Sequence, residues 1–168
     1  NVIAFQPADG IAVTGSGTGN SIRGNSIHSN NELGIELGND GVTANDAGDG
    51  DTGINSLQNY PSLIASNTTG SNTTITGTLN SIPSTTFDID FYSAPTGDPS
   101  GFGEGQVYLG TDTVTTDAGG NASADRALRA GGQGRALRPR GQAARGGARV
   151  ARSSRFRCLR LRVEPHGT

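Results

Sequence analysis

The chain of 168 residues contains no methionine, no tryptophan and no lysine, and its only cysteine is Cys158. A lone cysteine excludes an intrachain disulfide, so the pairing of thiols says nothing about redox compartment. No apolar run approaches the ~18 residues of a membrane-spanning helix, and we therefore expect no membrane span. Only 32% of the residues are hydrophobic, which argues against a single large close-packed core.

The first 125 residues are instead rich in Gly, Asn, Thr, Ser and Asp, together with β-branched Ile, Val and Thr. These residue types favour short strands and tight turns, and they predict an all-β protein. An acidic body without cysteine suits an exported bacterial protein. We therefore expect the chain to be secreted or displayed on the outer cell surface.

The formal net charge of −2 hides two parts of opposite sign. Residues 1–125 hold 14 of the 15 acidic residues and a single arginine, Arg23. Residues 126–168 hold the other 12 arginines, with Glu164 as their only acidic residue. The chain is thus an acidic body followed by a basic tail.

The first 40 residues match themselves at an offset of 24 positions, with Ile3 aligned to Ile27 and Ile11 to Ile35. A third segment of the same kind, NSIRGN, occupies residues 20–25. Each segment alternates apolar with small or polar residues and is too short for a helix. Three short strands in about two dozen residues predict one coil of a parallel β-helix.

Residues 1–40 are therefore predicted to be the last coils of a parallel β-helix. About two coils are not expected to be stable alone, because each buries its inward residues against its neighbours. The chain begins within the pattern, at NVIAF, so we expect further coils upstream. Asparagines recur at the turns, where their side chains can bond to adjacent coils.

A connector rich in Asp and Gly follows at residues 41–61. Four aspartates in and beside it, interleaved with glycines, are candidate ligands of an oxygen-preferring cation such as Ca²⁺: Asp40, Asp46, Asp49 and Asp51. The spacing is irregular, and no glutamate stands at the twelfth position of an EF-hand loop. Turn formation by Asp and Gly alone is the alternative interpretation.

Residues 62–125 alternate at period two in several segments, among them 73–80, 85–92 and 106–116. This pattern is typical of half-buried antiparallel strands. With strands near Leu63 and after a turn at 117–123, about five strands are expected. A seven-stranded immunoglobulin-like sandwich would lack two, so this domain is predicted to be truncated.

A long loop at residues 93–106 contains Asp98 and Glu104. The loop has the composition of a ligand-binding loop, but carboxylates among Gly and Pro are more often solvated turn residues, and we favour that interpretation.

Seven segments occur in one order: NSIRGNSIHSN, LGIELGNDGVTANDAGDGDTG, LQNYP, TTITGTLNS, FDIDFYS, DPSGFGEGQVYLG and TVTTDAGGNAS. Together they resemble the C-terminal end of bacterial right-handed parallel β-helix repeat proteins, over about residues 1–124. The resemblance implies right-handed coils followed by a β-sandwich domain. It also implies an exported or surface module, adhesin-like in some members. The function that we expect is a non-enzymatic structural or binding module with a polysaccharide or cell-surface ligand.

The fold is shared with polysaccharide lyases, which keeps open a second interpretation: a lyase or hydrolase whose active coils lie upstream. A lyase would have an arginine base beside a Ca²⁺ cluster on one strand face. Arg23 stands alone on its segment with no acidic cluster in register, so we expect it on the solvated outer face.

The basic tail at residues 126–168 departs from the family. Its Arg, Ala, Gly and Pro content is typical of GC-rich DNA translated in the wrong frame, and we hypothesise a frameshift near residues 123–125. The alternative is a genuine arm that binds nucleic acid or another polyanion. In either case the tail is expected to be irregular.

Overall fold

The structure is a computed structural model, and it describes residues 1–70, 72–97 and 101–129. Within these ranges it contains nine strands and one turn of 3-10 helix at Ile54–Leu57, which confirms the all-β class. The strands are β1 Val2–Ala4, β2 Ile11–Val13, β3 Ser26–His28, β4 Ile35–Leu37, β5 Ser62–Thr69, β6 Asn72–Asn80, β7 Thr86–Ser93, β8 Val107–Thr115 and β9 Asn121–Arg129. In these same ranges, no helix has the length and apolarity needed to cross a bilayer.

The four short strands form two parallel pairs, β1 with β3 and β2 with β4. Ile3 lies opposite Ile27, and Ile11 lies opposite Ile35, so each pair spans 24 positions. The offset predicted from the repeat is therefore the register in which the strands pair. Residues 1–40, here called the coil segment, thus contain two layers, with β1 and β2 in the first and β3 and β4 in the second.

Side chains in the turns join the two layers at the same offset. The backbone N–H of Gln6 donates to Oδ1 of Asn30 at 3.0 Å, and the N–H of Leu33 donates to Oδ1 of Asp9 at 2.8 Å. These contacts satisfy backbone groups that strands of three residues leave unpaired. The expectation that turn asparagines bond to the adjacent layer is confirmed except for Asn20, which bonds to the connector instead.

Residues 20–25, predicted as a third strand, have no strand structure. Arg23 and Gly24 instead contact the pair of strands β7 and β8. The guanidinium of Arg23 binds two carboxylates of β7, and the N–H of Gly24 donates to the hydroxyl of Tyr92 at 3.1 Å. The prediction was wrong because the alternation within the segment carries no information about contacts with residues more than 60 positions later in the chain.

The remaining strands form two antiparallel sheets, in which β6 lies between β5 and β9, and β7 pairs with β8. The five strands expected after the connector are thus present. Strand β5 is an edge strand, and every residue in it is exposed. Its pairing with β6 has an irregularity between Leu63 and Ala65.

The two antiparallel sheets share one hydrophobic cluster. Phe87, Ile89 and Phe91 of β7 are at most 1% exposed. They pack with residues from the other three strands of the cluster: Ile75, Leu79, Val114 and Ala124. The alternation predicted this inward face correctly. The other face of β7 is also covered, since Asp90 is 2% exposed.

Strand β9 pairs with β6 over nine residues and ends at Arg129. Strand pairing therefore continues four residues beyond position 125, where the predicted domain ended, and the expectation of an irregular tail is wrong for residues 126–129. The rest of the basic tail lies outside the described residues.

Candidate metal centre

Three of the four aspartates predicted as calcium ligands meet in the connector. Asp46, Asp49 and Asp51 each offer a carboxylate oxygen, and these oxygens lie within 4.8 Å of one another. Asp49 is buried, whereas the other two are not fully buried. Asp40 lies outside this group, in the exposed turn after β4.

The side chain of Asn59 fixes the backbone at Asp46. Its Oδ1 accepts from the N–H of Asp46 at 3.0 Å, and its Nδ2 donates to the carbonyl of Asp46 at 2.7 Å. The same Nδ2 donates to the carbonyl of Asn80 at 2.9 Å, at the end of β6. Because Asn59 is 2% exposed, these bonds are shielded from water and join the connector to the antiparallel sheet.

Asp49 is the member of the cluster whose oxygens are both hydrogen-bonded. Its Oδ1 accepts from the N–H of Asn59 at 2.7 Å. Its Oδ2 accepts from Nε2 of Gln58 and from the hydroxyl of Ser81, both at 2.6 Å. Hydrogen bonds to a carboxylate are short and strong, so Asp49 ties the connector to the turn after β6.

The other two aspartates have oxygens with no donor. Oδ1 of Asp46 and Oδ1 of Asp51 are buried without a hydrogen-bond partner. Oδ2 of Asp46 accepts from the N–H of Gly50 at 3.0 Å. Burial, together with the charges of Asp46 and Asp49, raises the pKa of the Asp51 carboxyl above its ordinary value. The cluster therefore combines crowded negative charge with unsatisfied oxygens.

These features fit a hard divalent cation. Ca²⁺ binds carboxylate and carbonyl oxygens, and a buried acceptor without a donor costs free energy that a bound cation removes. Asp46 and Asp51 would hold the ion through their unpartnered oxygens, while Asp49 would position the loop. The cation would supply the positive charge that the three carboxylates lack.

A second polar cluster joins the coil segment to β7. Nη1 of Arg23 lies 2.8 Å from Oδ2 of Asp88, and Nη2 lies 2.8 Å from Oδ1 of Asp90. The expectation that Arg23 lies on a solvated outer face is therefore wrong. Hydrogen bonding to Asp90 raises the pKa of Arg23 further above its ordinary value, which makes it unsuited to act as a catalytic base.

The loop between β7 and β8 contributes a buried carboxylate. Glu104 is 8% exposed, and its two oxygens accept from the N–H of Asn30 at 3.1 and 3.2 Å. Oε1 also accepts from Nδ2 of Asn30 at 2.6 Å. The interpretation of Glu104 as a solvated turn residue is therefore wrong, and Asp98 lies outside the described residues.

Sequence reasoning missed the residues that support the aspartate cluster, namely Gln58, Asn59 and Ser81. The adjacent amides in LQNYP were a usable signal, because amide side chains donate to carboxylates and hold turns. Ser81 follows β6 and carries no comparable signal. It is placed by the fold, 32 positions from the carboxylate it contacts.

A scan against protein-family models finds no match for the chain, and a search of curated proteins finds no significant match.

Proposed function

We propose that the chain is a non-enzymatic structural and binding module of a secreted or surface-displayed protein, stabilised by Ca²⁺ at Asp46, Asp49 and Asp51. In this proposal residues 1–40 are coils of a right-handed parallel β-helix, and strands β5–β9 belong to a β-sandwich. The connector joins the two and carries the metal.

The register of the short strands supports the β-helix part of the proposal. Both parallel pairs have the same offset, and the turn contacts between layers repeat it. Successive coils of a solenoid need this equivalence, because each coil contacts only its neighbours. The hydrophobic cluster shared by the two antiparallel sheets supports the sandwich part.

The observation that carries the metal part is the pair of buried oxygens without a donor, one on Asp46 and one on Asp51. Groups that only shape turns normally find donors in the backbone, as Oδ2 of Asp46 does with Gly50. Turn chemistry alone leaves these two oxygens unexplained, whereas a bound cation satisfies both.

The binding role rests on the form and charge of the body. Stacked layers present an extended and repetitive surface of the kind that solenoid proteins use for recognition. Residues 1–125 carry 14 acidic residues against one arginine. We propose a polysaccharide or another cell-surface ligand as the partner of this surface.

Titration calorimetry of the full chain, freed of metal with a chelator, tests the metal site. Addition of CaCl₂ is expected to give one saturable binding event, which Asp51→Asn abolishes. Asp40→Asn is the matched control, because it removes an exposed carboxylate outside the cluster, and it should bind as the wild type does. Absence of binding at millimolar Ca²⁺, or equal binding by Asp51→Asn, would overturn the site.

Protease treatment of intact producing cells tests the location. A surface-displayed chain is expected to be degraded, and a secreted chain is expected in the medium. Recovery of the intact chain from the cytosolic fraction alone would contradict this part of the proposal.

A further inference from the structure

A short stretch of the loop before β8, residues 103–106, lies beside β3 and is here called the capping segment. The N–H of Ser26 points to the first layer and donates to a carbonyl there at 2.8 Å. The N–H of Ile27 points the other way and donates to the carbonyl of Gly105 at 2.9 Å. The hydroxyl of Ser26 donates to the carbonyl of Gln106 at 2.6 Å. Strand β3 therefore has a neighbour on each side.

The contact of Glu104 with the second layer is equivalent to the contact that joins the two layers. Between the layers, the N–H of Gln6 donates to the side-chain oxygen of Asn30 at 3.0 Å. Beyond the second layer, the N–H of Asn30 donates to Oε1 of Glu104 at 3.1 Å. Asn30 thus accepts a hydrogen bond from the first layer and donates one to the capping segment. Both bonds run from a backbone N–H to a side-chain oxygen of the segment that follows.

We propose that the capping segment takes the place of a third layer and ends the stack, with Glu104 supplying the oxygen that Asn30 supplies between the layers. An uncovered strand edge is a template for pairing with another chain, and the capping segment covers that edge of β3. This inference rests on the proposed β-helix stack, and it depends on neither the calcium site nor the proposed surface role.

The capping segment combines hydrogen bonds to the coil segment with one close contact to Tyr92. A partly open pocket of about 30 Å³ lies beside the segment, and its walls include Ile27, Tyr92 and Glu104. A Cβ atom at Gly105 would lie 2.8 Å from Cγ of Tyr92, so a residue without a side chain is required for this approach. Glu104 accepts from both the N–H and Nδ2 of Asn30, so we expect removal of its oxygens to loosen the segment.

Amide hydrogen exchange of the full chain, followed residue by residue, tests the cap. Glu104→Ala is expected to speed exchange at the amides of both Asn30 and Ile27 at least tenfold, while the amides of β6 keep their wild-type rates. Glu104→Gln keeps a side-chain oxygen and should stay within about threefold of the wild type. Glu32→Ala, at an exposed glutamate in the same coil segment, is the control and should change neither amide.

Unchanged protection of Ile27 in Glu104→Ala would overturn the proposal, because Ile27 bonds to the segment and not to Glu104 itself. Equal acceleration in Glu104→Gln and Glu104→Ala would show that charge, and not an acceptor oxygen, is required. Loss of β6 protection in both variants would also overturn it, because a cap of the coil segment is separable from the antiparallel sheets.

Discussion

Arg23 and Asp90 form a two-pronged ion pair across 67 positions of sequence, with Nη2 2.8 Å from Oδ1 and Nε 3.2 Å from Oδ2. The side chain of Asp90 is 2% exposed, whereas that of Arg23 is 30% exposed. Asp90 lies on β7, the strand whose opposite face fills the hydrophobic cluster. The pair therefore fixes the coil segment to the most buried strand of the antiparallel part.

Replacement of Arg23 by alanine is expected to lower the free energy of unfolding by about 3 kcal/mol, because it leaves a buried carboxylate without its cation. This is the lower end of the usual range, since the guanidinium is partly exposed. Arg23→Lys should lose less, because it keeps the charge but not the two-pronged geometry. Urea denaturation measures both changes.

A second substitution separates the ion pair from simple loss of packing. In the Arg23→Ala background, Asp90→Asn removes the uncompensated charge and should recover part of the lost stability. Wild-type stability of Arg23→Ala, or no recovery in the double variant, would contradict the role given to this pair.

Gly10 tests the contact between the two layers of the coil segment. A Cβ atom at Gly10 would lie 2.6 Å from the carbonyl oxygen of Gly34 and 2.8 Å from Cγ2 of Ile27. Gly10→Ala should therefore destabilise the protein by about 1–3 kcal/mol through overpacking. Gly17 is the control, because its nearest neighbour would be 3.8 Å away, and Gly17→Ala should stay within about 0.5 kcal/mol of the wild type. Equal effects in urea denaturation would show that the layers are not in close contact.

The pairing of the layers could be predicted from sequence because the length of the repeat equals the offset at which equivalent strands pair. Ile3 and Ile27 match in the alignment and lie opposite each other in the sheet. The inward face of β7 was predictable for a similar reason, since period-two alternation specifies one face without knowledge of the partner.

The contacts between distant segments could not be predicted in this way. Arg23 was predicted on a solvated outer face and Glu104 in a solvated turn, but Asp88 lies 65 positions from Arg23 and Asn30 lies 74 positions from Glu104. Residues 20–25 show the same limit, because their alternation matches a strand, whereas in the structure they have no strand conformation and contact β7 and β8. Local pattern specifies strands and faces, but it does not specify which surfaces dock.

Asp117 gives a pH-dependent test of the turn between β8 and β9. Its carboxylate accepts from the backbone N–H groups of Gly119 and Asn121 at 2.8 and 2.9 Å. These hydrogen bonds lower the pKa of Asp117 below its ordinary value, and the bond from Asn121 has the largest effect.

A carboxyl with a lowered folded-state pKa stabilises the protein above its unfolded-state pKa of about 3.9 and loses that effect as pH falls through the folded-state value. Asp117→Ala should therefore have a lower Tm than the wild type near neutral pH, and the difference should shrink as the pH falls below the unfolded-state pKa of about 3.9. Thermal unfolding of both proteins across this range measures it. A difference that does not vary with pH would contradict the assignment.

Asp49 and Asp51 should respond in opposite ways when they are replaced in metal-free protein. Asp49→Asn loses acceptors for hydrogen bonds and should destabilise by about 2–3 kcal/mol. Asp51→Asn removes a negative charge that is made unfavourable by burial and by the nearby carboxylates of Asp46 and Asp49. Because the raised pKa of Asp51 means that its ionised form is disfavoured in the folded state, this variant should be more stable than the wild type near neutral pH. Thermal unfolding in a chelator measures both, and equal destabilisation would contradict the division of roles.

The most direct test of the proposed calcium site is the Tm of the full chain with and without millimolar Ca²⁺. We predict a rise of about 5 °C or more with Ca²⁺, because an ion that binds only the folded state stabilises it. The rise should persist in Asp40→Asn and disappear in the double variant Asp46→Asn/Asp51→Asn. A Tm that does not respond to Ca²⁺, or an equal rise in the double variant, would contradict the account.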